Sequence, residues 1–369
     1  MPEGRIKRVF PGGNTSRGFF SYYDYILEQE EAERIFVLKG GPGVGKSTFM
    51  RKIGEEMAQR GYDVEFMHCS SDDASLDGVV IPALGIALID GTAPHVVDPK
   101  NPGAVDEIIN LGGFWDEEGM RKNREAILKE NKEVGRLFGR AYKYIKAASC
   151  IYDDMREIYG MATDEAGLNA MSHEAVRDVL DERKHAGKPG KVRKLFASAV
   201  TPSGLKNYLE TVLAGDKLYV LECIPGVSAD RLLEKVKDAA AERGYYTECY
   251  YCALYPERLE HVVIPGAGVS LTTSNRYHSA RIGQGCGENG KMSVKRIDFG
   301  EFLDKKVVDS HAGVLEYDLA EFEKLLNKAI ETISEAKRAH DRMERCYIPN
   351  MDFSAVQECW DATLRRILQ

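Results

Sequence analysis

The chain repeats itself. Residues 35–95 align with residues 218–278 at one constant offset of 183, without a gap. Ile35-Phe36-Val37-Leu38 returns as Leu218-Tyr219-Val220-Leu221, and Arg60-Gly61-Tyr62 as Arg243-Gly244-Tyr245. Val79-Val80-Ile81-Pro82 returns as Val262-Val263-Ile264-Pro265. About a third of the aligned positions are identical, a clear repeat signal for an ungapped pair. The match extends outward, from Ile6–Phe10 to Val192–Phe196 and from Asp154–Tyr159 to Arg342–Tyr347. Two halves therefore fill the chain, 1–185 and 192–369, joined by the polar, turn-rich His185–Lys191. Whatever one half folds into, the other must fold into as well.

The plan of one half follows from its periodicities. Ile35–Lys39 is an apolar strand, and Gly40–Thr48 a glycine-rich turn. Phe49, Met50, Ile53 and Met57 then mark the apolar face of a helix running to Arg60. Val64–Cys69 predicts a second strand, and Gly85–Asp90 a third apolar run that ends on a carboxylate. Strands alternating with helices predict a mostly parallel sheet with both faces covered. The expected fold class is α/β: two tandem three-layer α/β/α domains. Residues 117–185 and 319–369 add a C-terminal helical hairpin to each half. These hairpins are expected beside their own sheets or projecting as lids, with their charge runs as solvated faces.

Composition removes several function classes. The 369 residues carry a formal charge of −8, which argues against a nucleic-acid binder. The eight cysteines are scattered, as expected for reduced thiols. The first residues lack the apolar core of a signal peptide, and no run approaches the roughly twenty apolar residues of a membrane helix. A cytoplasmic protein without membrane contact is the expectation.

The chemistry concentrates at Gly40-Gly41-Pro42-Gly43-Val44-Gly45-Lys46-Ser47-Thr48. Gly40, Gly45, Lys46 and Ser47 satisfy G-x-x-x-x-G-K-[ST] between a strand and a helix, the context that a phosphate-binding loop requires. Glycines let successive N–H groups converge on an anion without Cβ clashes. The helix beginning near Lys46 aims its positive end at the same place. Lys46 would contact the β- and γ-phosphates, and the Ser47 hydroxyl would ligate Mg²⁺. A nucleoside triphosphate is the expected ligand.

The duplication supplies an internal control. Gly40, Gly41, Gly45, Lys46 and Ser47 correspond to Cys223, Ile224, Ser228, Ala229 and Asp230. The second loop has lost its lysine and placed a carboxylate where phosphates would sit, so it reads as a degenerate copy. Asp90 becomes Thr273, and a carboxylate lost together with the lysine is a candidate Mg²⁺ ligand. Asp72 and Asp73 become Tyr255 and Pro256. They either position an attacking water or acceptor hydroxyl, or simply build a polar Asx-type loop. Asp77 keeps its charge as Glu260 and discriminates nothing, and His95 persists as His278, favouring structure over catalysis. Arg17 has no counterpart arginine and could contact the base or supply a cation in cis; Arg121, Arg124, Arg136 and Arg140 are further transition-state candidates. Cys249 and Cys252 read as core cysteines on a strand, not a zinc pair, and Gly285–Gly290 as a loop, not a dinucleotide site.

On these motifs the chain resembles the P-loop NTPase superfamily over its first hundred residues. Over nearly its whole length, with Ile89-Asp90-Gly91-Thr92-Ala93-Pro94-His95 after the loop, it is similar to bacterial tandem P-loop ATP-binding proteins. The resemblance implies ATP and Mg²⁺ at Gly40–Thr48 with Asp90. Many relatives in the superfamily place Glu after the strand-terminal Asp to activate water, whereas here Gly91 follows. A guanine-selecting Asn-Lys-x-Asp is absent, which tilts the base towards adenine. Three readings follow: a slow ATPase coupled to motion between the halves, an ATP-dependent switch acting on a protein partner, and a kinase with a small-molecule or nucleotide acceptor.

Overall fold

Each half builds a six-stranded mixed sheet, in a computed structural model that describes residues 2–92, 96–180, 187–279 and 292–369. The first half supplies β1 (Ile6–Val9), β2 (Gly12–Thr15), β3 (Gly18–Ser21), β4 (Arg34–Lys39), β5 (Val64–His68), β6 (Leu76–Ile81), β7 (Ile86–Asp90) and β8 (Asp106–Asn110). The second supplies β9 (Val192–Leu195), β10 (Ser198–Thr201), β11 (Gly204–Asn207), β12 (Lys217–Glu222), β13 (Thr247–Tyr251), β14 (Leu259–Ile264), β15 (Val269–Ser274) and β16 (Ser293–Asp298). The order is β1-β5-β6-β7-β4-β8 in one sheet and β9-β13-β14-β15-β12-β16 in the other, with β2–β3 and β10–β11 as separate hairpins. In each sheet three neighbour pairs are parallel, while β6 and β14 run antiparallel to both neighbours. The short connections ending on Gly85 (φ 61°) and Gly268 (φ 63°) cause this, because a tight turn can only join antiparallel strands.

Helices α1 (Lys46–Gln59), α2 (Glu117–Lys122), α3 (Arg124–Ala162) and α4 (Glu165–Leu180) belong to the first half. Helices α5 (Leu209–Val212), α6 (Asp230–Glu242), α7 (Lys305–Ser310), α8 (Ala312–Tyr347) and α9 (Phe353–Ile367) belong to the second. Two expectations need correction. The halves are not separate α/β/α sandwiches, since helices cover one face of each sheet and the sister sheet covers the other. Along β4, Phe36 and Leu38 face α1, whereas Ile35 and Val37 join Leu218 and Val220 of β12 in a shared inter-sheet core. The layers therefore run helix, sheet, sheet, helix. An apolar strand reports that both faces are buried but not what buries them.

The hairpins are also exchanged rather than laid beside their own sheets. α4 sets Leu168, Ala175 and Val179 against Leu232, Leu233 and Val236 of α6. α9 sets Val356 and Ile367 into the core of Phe36, Leu38, Phe49 and Ile53. The 39 residues of α3 extend about 58 Å at 1.5 Å each, enough to carry the chain past its own sheet. α3 and α8 run antiparallel, with Arg342 on Glu130 (2.8 Å) near one end and Tyr152 against Phe322 near the other. Bridges Trp115–Met351 and Thr163–Leu303 fasten the two crossings. At the centre, Phe10 and Phe196, counterparts in the repeat, bond to each other's backbone at 2.9 and 3.0 Å. The molecule thus has an internal pseudo-twofold axis. Among the described residues, no helix is long and apolar enough to cross a membrane.

Candidate functional site

The turn between β4 and α1 forms a cradle. Gly40, Gly43 and Gly45 take φ values of 146°, 70° and 92°, a range in which any side chain would be strained. The N-terminus of α1 carries no side-chain cap, whereas Asp116, Asp304 and Asp352 cap α2, α7 and α9. The first N–H groups of α1 therefore have no side-chain acceptor, and the positive end of a fourteen-residue helix faces the turn. Lys46 folds back into this turn, donating to the Gly40 and Gly41 carbonyls at 2.9 Å each. It is only 9% exposed. Burial pulls its ammonium below the usual pKa, with Asp90 pulling the other way. An under-solvated ammonium at a helix N-terminus is a place for an anion.

Two residues beside Lys46 offer oxygens. The Ser47 hydroxyl accepts from Leu76 N at 2.9 Å, which fixes its position and leaves its proton free to turn. Asp90 ends β7, next to β4 in the sheet. Its Oδ1 accepts from Thr92 N (2.9 Å) and Thr92 Oγ1 (2.5 Å), and its Oδ2 lies 3.7 Å from Lys46 Nζ. Lys46 and Ser47, which open α1, thus meet Asp90 at the end of β7. Gly91 explains why no glutamate follows Asp90: a Cβ there would lie 2.4 Å from Val37 Cγ1 and 2.9 Å from Val97 O.

Sequence reasoning passed over Asp77. Met67 pairs with Gly78 but His68 with Leu76, so Asp77 is the extra residue of a bulge in β6. Continuing the Gly78–Ile89 register by one step places it beside Asp90. Asp77 is 3% exposed and bears electrostatically on Lys46, Tyr23 and Cys69. The signal for it in the sequence is the charge that it keeps as Glu260 in the repeat.

The far wall belongs to the second half. A Cβ on Gly41 would lie 2.3 Å from the Tyr347 ring, and one on Gly43 would lie 3.0 Å from Ile348 and 3.4 Å from Glu344 Cβ. Lys337, Asp341 and Glu344 follow one face of α8. Lys337 reaches Asp341 (2.7 Å) and Asp72 of the first half (3.5 Å), and the Glu344 charge acts on Lys46. Gly41→Ala is expected to cost about 1–3 kcal/mol of stability through this contact. Much of that loss should vanish in a Tyr347→Ala background, as a double-mutant cycle in urea would show.

The other candidates sit elsewhere. Asp73 is bound by Ser203 Oγ (2.7 Å) and Lys206 Nζ (2.8 Å) on the β10–β11 hairpin. Burial opposes it, but those partners hold its carboxyl below the usual value. Asp72 accepts from Ser75 Oγ at 2.9 Å in a turn, besides its contact with Lys337. Arg17 is exposed and paired with Glu257 at 2.7 Å. Arg121 and Arg136 pair with Glu117 and Glu133 on their own helices. His95 and Gly285–Gly290 lie outside the described residues.

The second loop is not an empty copy of the first. Gly226 N donates to the Tyr152 hydroxyl of α3 at 3.0 Å, so one backbone N–H of this loop is already taken by a side chain of the opposite half. Next to it is a cavity of about 100 Å³ whose wall includes Ser228, Cys252, Arg258, Glu260, Thr273 and His278. Cys252, expected in the core, lines this cavity instead, while Cys249 and Cys69 are buried. Comparison with protein-family models, curated proteins and solved structures gives no match, so the chemistry of both sites rests on their own geometry.

Proposed function

We propose that the first-half cradle binds ATP with Mg²⁺ and hydrolyses it slowly, and that occupancy is felt by the second half. The observation that carries this reading is Lys46: a buried ammonium at an uncapped helix N-terminus, 3.7 Å from Asp90 and one residue from Ser47. The donor set fits the group, with backbone N–H groups and an ammonium for phosphate oxygens, and a hydroxyl and a carboxylate for a hard cation. Ser47 and Asp90 would hold Mg²⁺, which when bound neutralises charge on the phosphate oxygens. On binding, Lys46 releases the Gly40 and Gly41 carbonyls and turns to the β- and γ-phosphates. Since Gly91 has no room for a glutamate, Glu344 of α8 is the carboxylate proposed to orient the attacking water and take its proton. Asp72 and Asp73 are engaged by Lys337, Ser203 and Lys206, which weighs against the same role for them.

A second reading, an ATP-dependent switch with little turnover, is favoured by one contact. The end of α8 and the start of α9 rest on Gly41, Gly43 and Gly45, so a loop that moves on binding must move them. The deciding experiment follows ADP and free phosphate together, with wild type, Lys46→Ala and Glu344→Gln. Equal release of both by wild type is expected. Lys46→Ala should weaken ATP binding at least about tenfold, and Glu344→Gln should keep binding while losing turnover. Tight Lys46-dependent binding without ADP would overturn hydrolysis and leave the switch. ADP formed without free phosphate, only with an added acceptor, would mean a kinase. ATP binding that survives Lys46→Ala unchanged would sink the cradle itself.

A further inference from the structure

The bulge repeated in β14 has a consequence that its first-half counterpart lacks. Tyr250 pairs with His261 but Tyr251 with Leu259, leaving Glu260 as the extra residue. In regular strands neighbours point to opposite faces; a bulge re-aims them. Glu260 Oε2 accordingly lies 3.8 Å from His261 Nε2. The His278 ring, beyond the end of β15, meets the His261 ring edge to face at 5.2 Å. One ligand atom from each of the three residues falls within 4.8 Å of the other two.

A hydrogen bond holds the His261 ring in place. Its Nδ1 lies 2.7 Å from the Thr272 hydroxyl, which also contacts Thr273 O at 3.2 Å. The Nδ1–H tautomer lets that hydroxyl serve both contacts and leaves Nε2 its lone pair. That atom has no hydrogen-bond partner, on a side chain with no exposure at all. A buried polar atom left unpaired is costly, and an imidazole oriented through its other nitrogen is a metal ligand in waiting. Thr273 Oγ1 steadies His278 Nε2 in the same way at 2.9 Å.

We propose that Glu260, His261 and His278 bind one divalent transition-metal ion of the zinc class, with an open coordination position on the second-half cavity. Two imidazoles and one carboxylate suit zinc or a neighbouring first-row ion better than Mg²⁺ or Ca²⁺, which prefer oxygen alone. Three protein ligands leave a vacant position, and Glu260 and His278 both line the cavity, with Arg258 on its wall for an anionic ligand. The pseudo-twofold supplies a control. Glu260 and His278 have the counterparts Asp77 and His95, but His261 matches Gly78, so the first half cannot assemble the set. The second half has exchanged a phosphate loop for a different chemistry.

The test uses the full chain stripped with a chelator. Zn²⁺ titrated by calorimetry should bind at one equivalent, and Co²⁺ should give the visible bands of a four- or five-coordinate site. Glu260→Gln and His278→Asn should each weaken Zn²⁺ at least about tenfold. Lys46→Ala should leave the Zn²⁺ affinity unchanged, because this site does not depend on the nucleotide reading. His340→Ala is the second control, since His340, Asp341 and Glu344 form the other group of candidate ligands among the described residues. Absence of binding, binding indifferent to Glu260→Gln and His278→Asn, or binding lost in His340→Ala would each overturn the assignment. Circular dichroism of every variant separates a lost ligand from a lost fold.

Discussion

Arg193→Met is expected to destabilise the protein by about 3–5 kcal/mol at pH 7, read as a lower urea midpoint with an unchanged slope. The guanidinium is buried between the two sheets. It forms a bidentate pair with Glu65 (3.0 and 2.7 Å) and donates to the Tyr25 and Ile26 carbonyls at 2.8 Å each. Lys7, its counterpart across the pseudo-twofold, bridges Glu65 (3.0 Å) and Glu248 (2.7 Å), and the Tyr250 hydroxyl completes Glu248 at 2.8 Å. Removing Arg193 leaves one buried carboxylate short of charge and two carbonyls without a donor. A large loss is the signature of a broken pair, not of a valuable one. Arg193→Met combined with Glu65→Leu should therefore recover most of it, and a loss below about 1 kcal/mol in the single variant would contradict this account.

The same cluster sets an acid limit. Burial alone would raise the Glu65 carboxyl, but Arg193 and Lys7 outweigh it and bring it to about 2. A carboxylate depressed in the folded state contributes stability in full above its unfolded value of about 4.3. That contribution disappears as pH falls through the folded value. The gap between wild type and Arg193→Met should thus be widest near neutrality and close between about pH 4.3 and 2.

Much of this architecture was legible because the chain states it twice. The offset of 183 corresponds to two matching sheets, and Lys46, next to Ser47, lies 3.7 Å from Asp90. What eluded sequence reasoning is physical in each case. Ile35 and Val37 are as apolar as Phe36 and Leu38, and no pattern distinguishes a face covered by a helix from one covered by a sister sheet. The amphipathic faces of α4 and α9 announce that they need a partner, but not which half provides it. Between the halves, losses in the second copy stand out against a motif, whereas the gain of His261 over Gly78 matches none. Bulges then re-aimed Asp77 and Glu260, and a bulge has no signature in strand periodicity.

Deleting residues 353–369 should abolish the proposed ATP binding and strip protection from α1 and the helix-facing side of the first sheet before the second, although those residues lie about three hundred positions from the loop. The exchange requires it. Val356 and Ile367 are buried against Phe36, Leu38, Phe49 and Ile53, with Trp360 and Leu364 half-buried beside them. Phe353 lies over Gly45, Lys52 bonds Gln357 at 3.1 Å, and Arg366 pairs with Glu107 of β8. Burial of Val356 and Ile367 alone contributes about 3–6 kcal/mol, a large share of the 5–15 kcal/mol that holds a typical domain. Hydrogen exchange resolves the outcome by half. Amides of β4 and α1 should lose protection, while those of β12 and α6, covered by α4, should keep theirs. Ile367→Ala should produce the same pattern more mildly, at about 2–5 kcal/mol, with the chain otherwise complete. If β12 and α6 lost protection first, each hairpin would belong to its own sheet, and the route from Glu344 and Tyr347 to the loop would fall with the exchange.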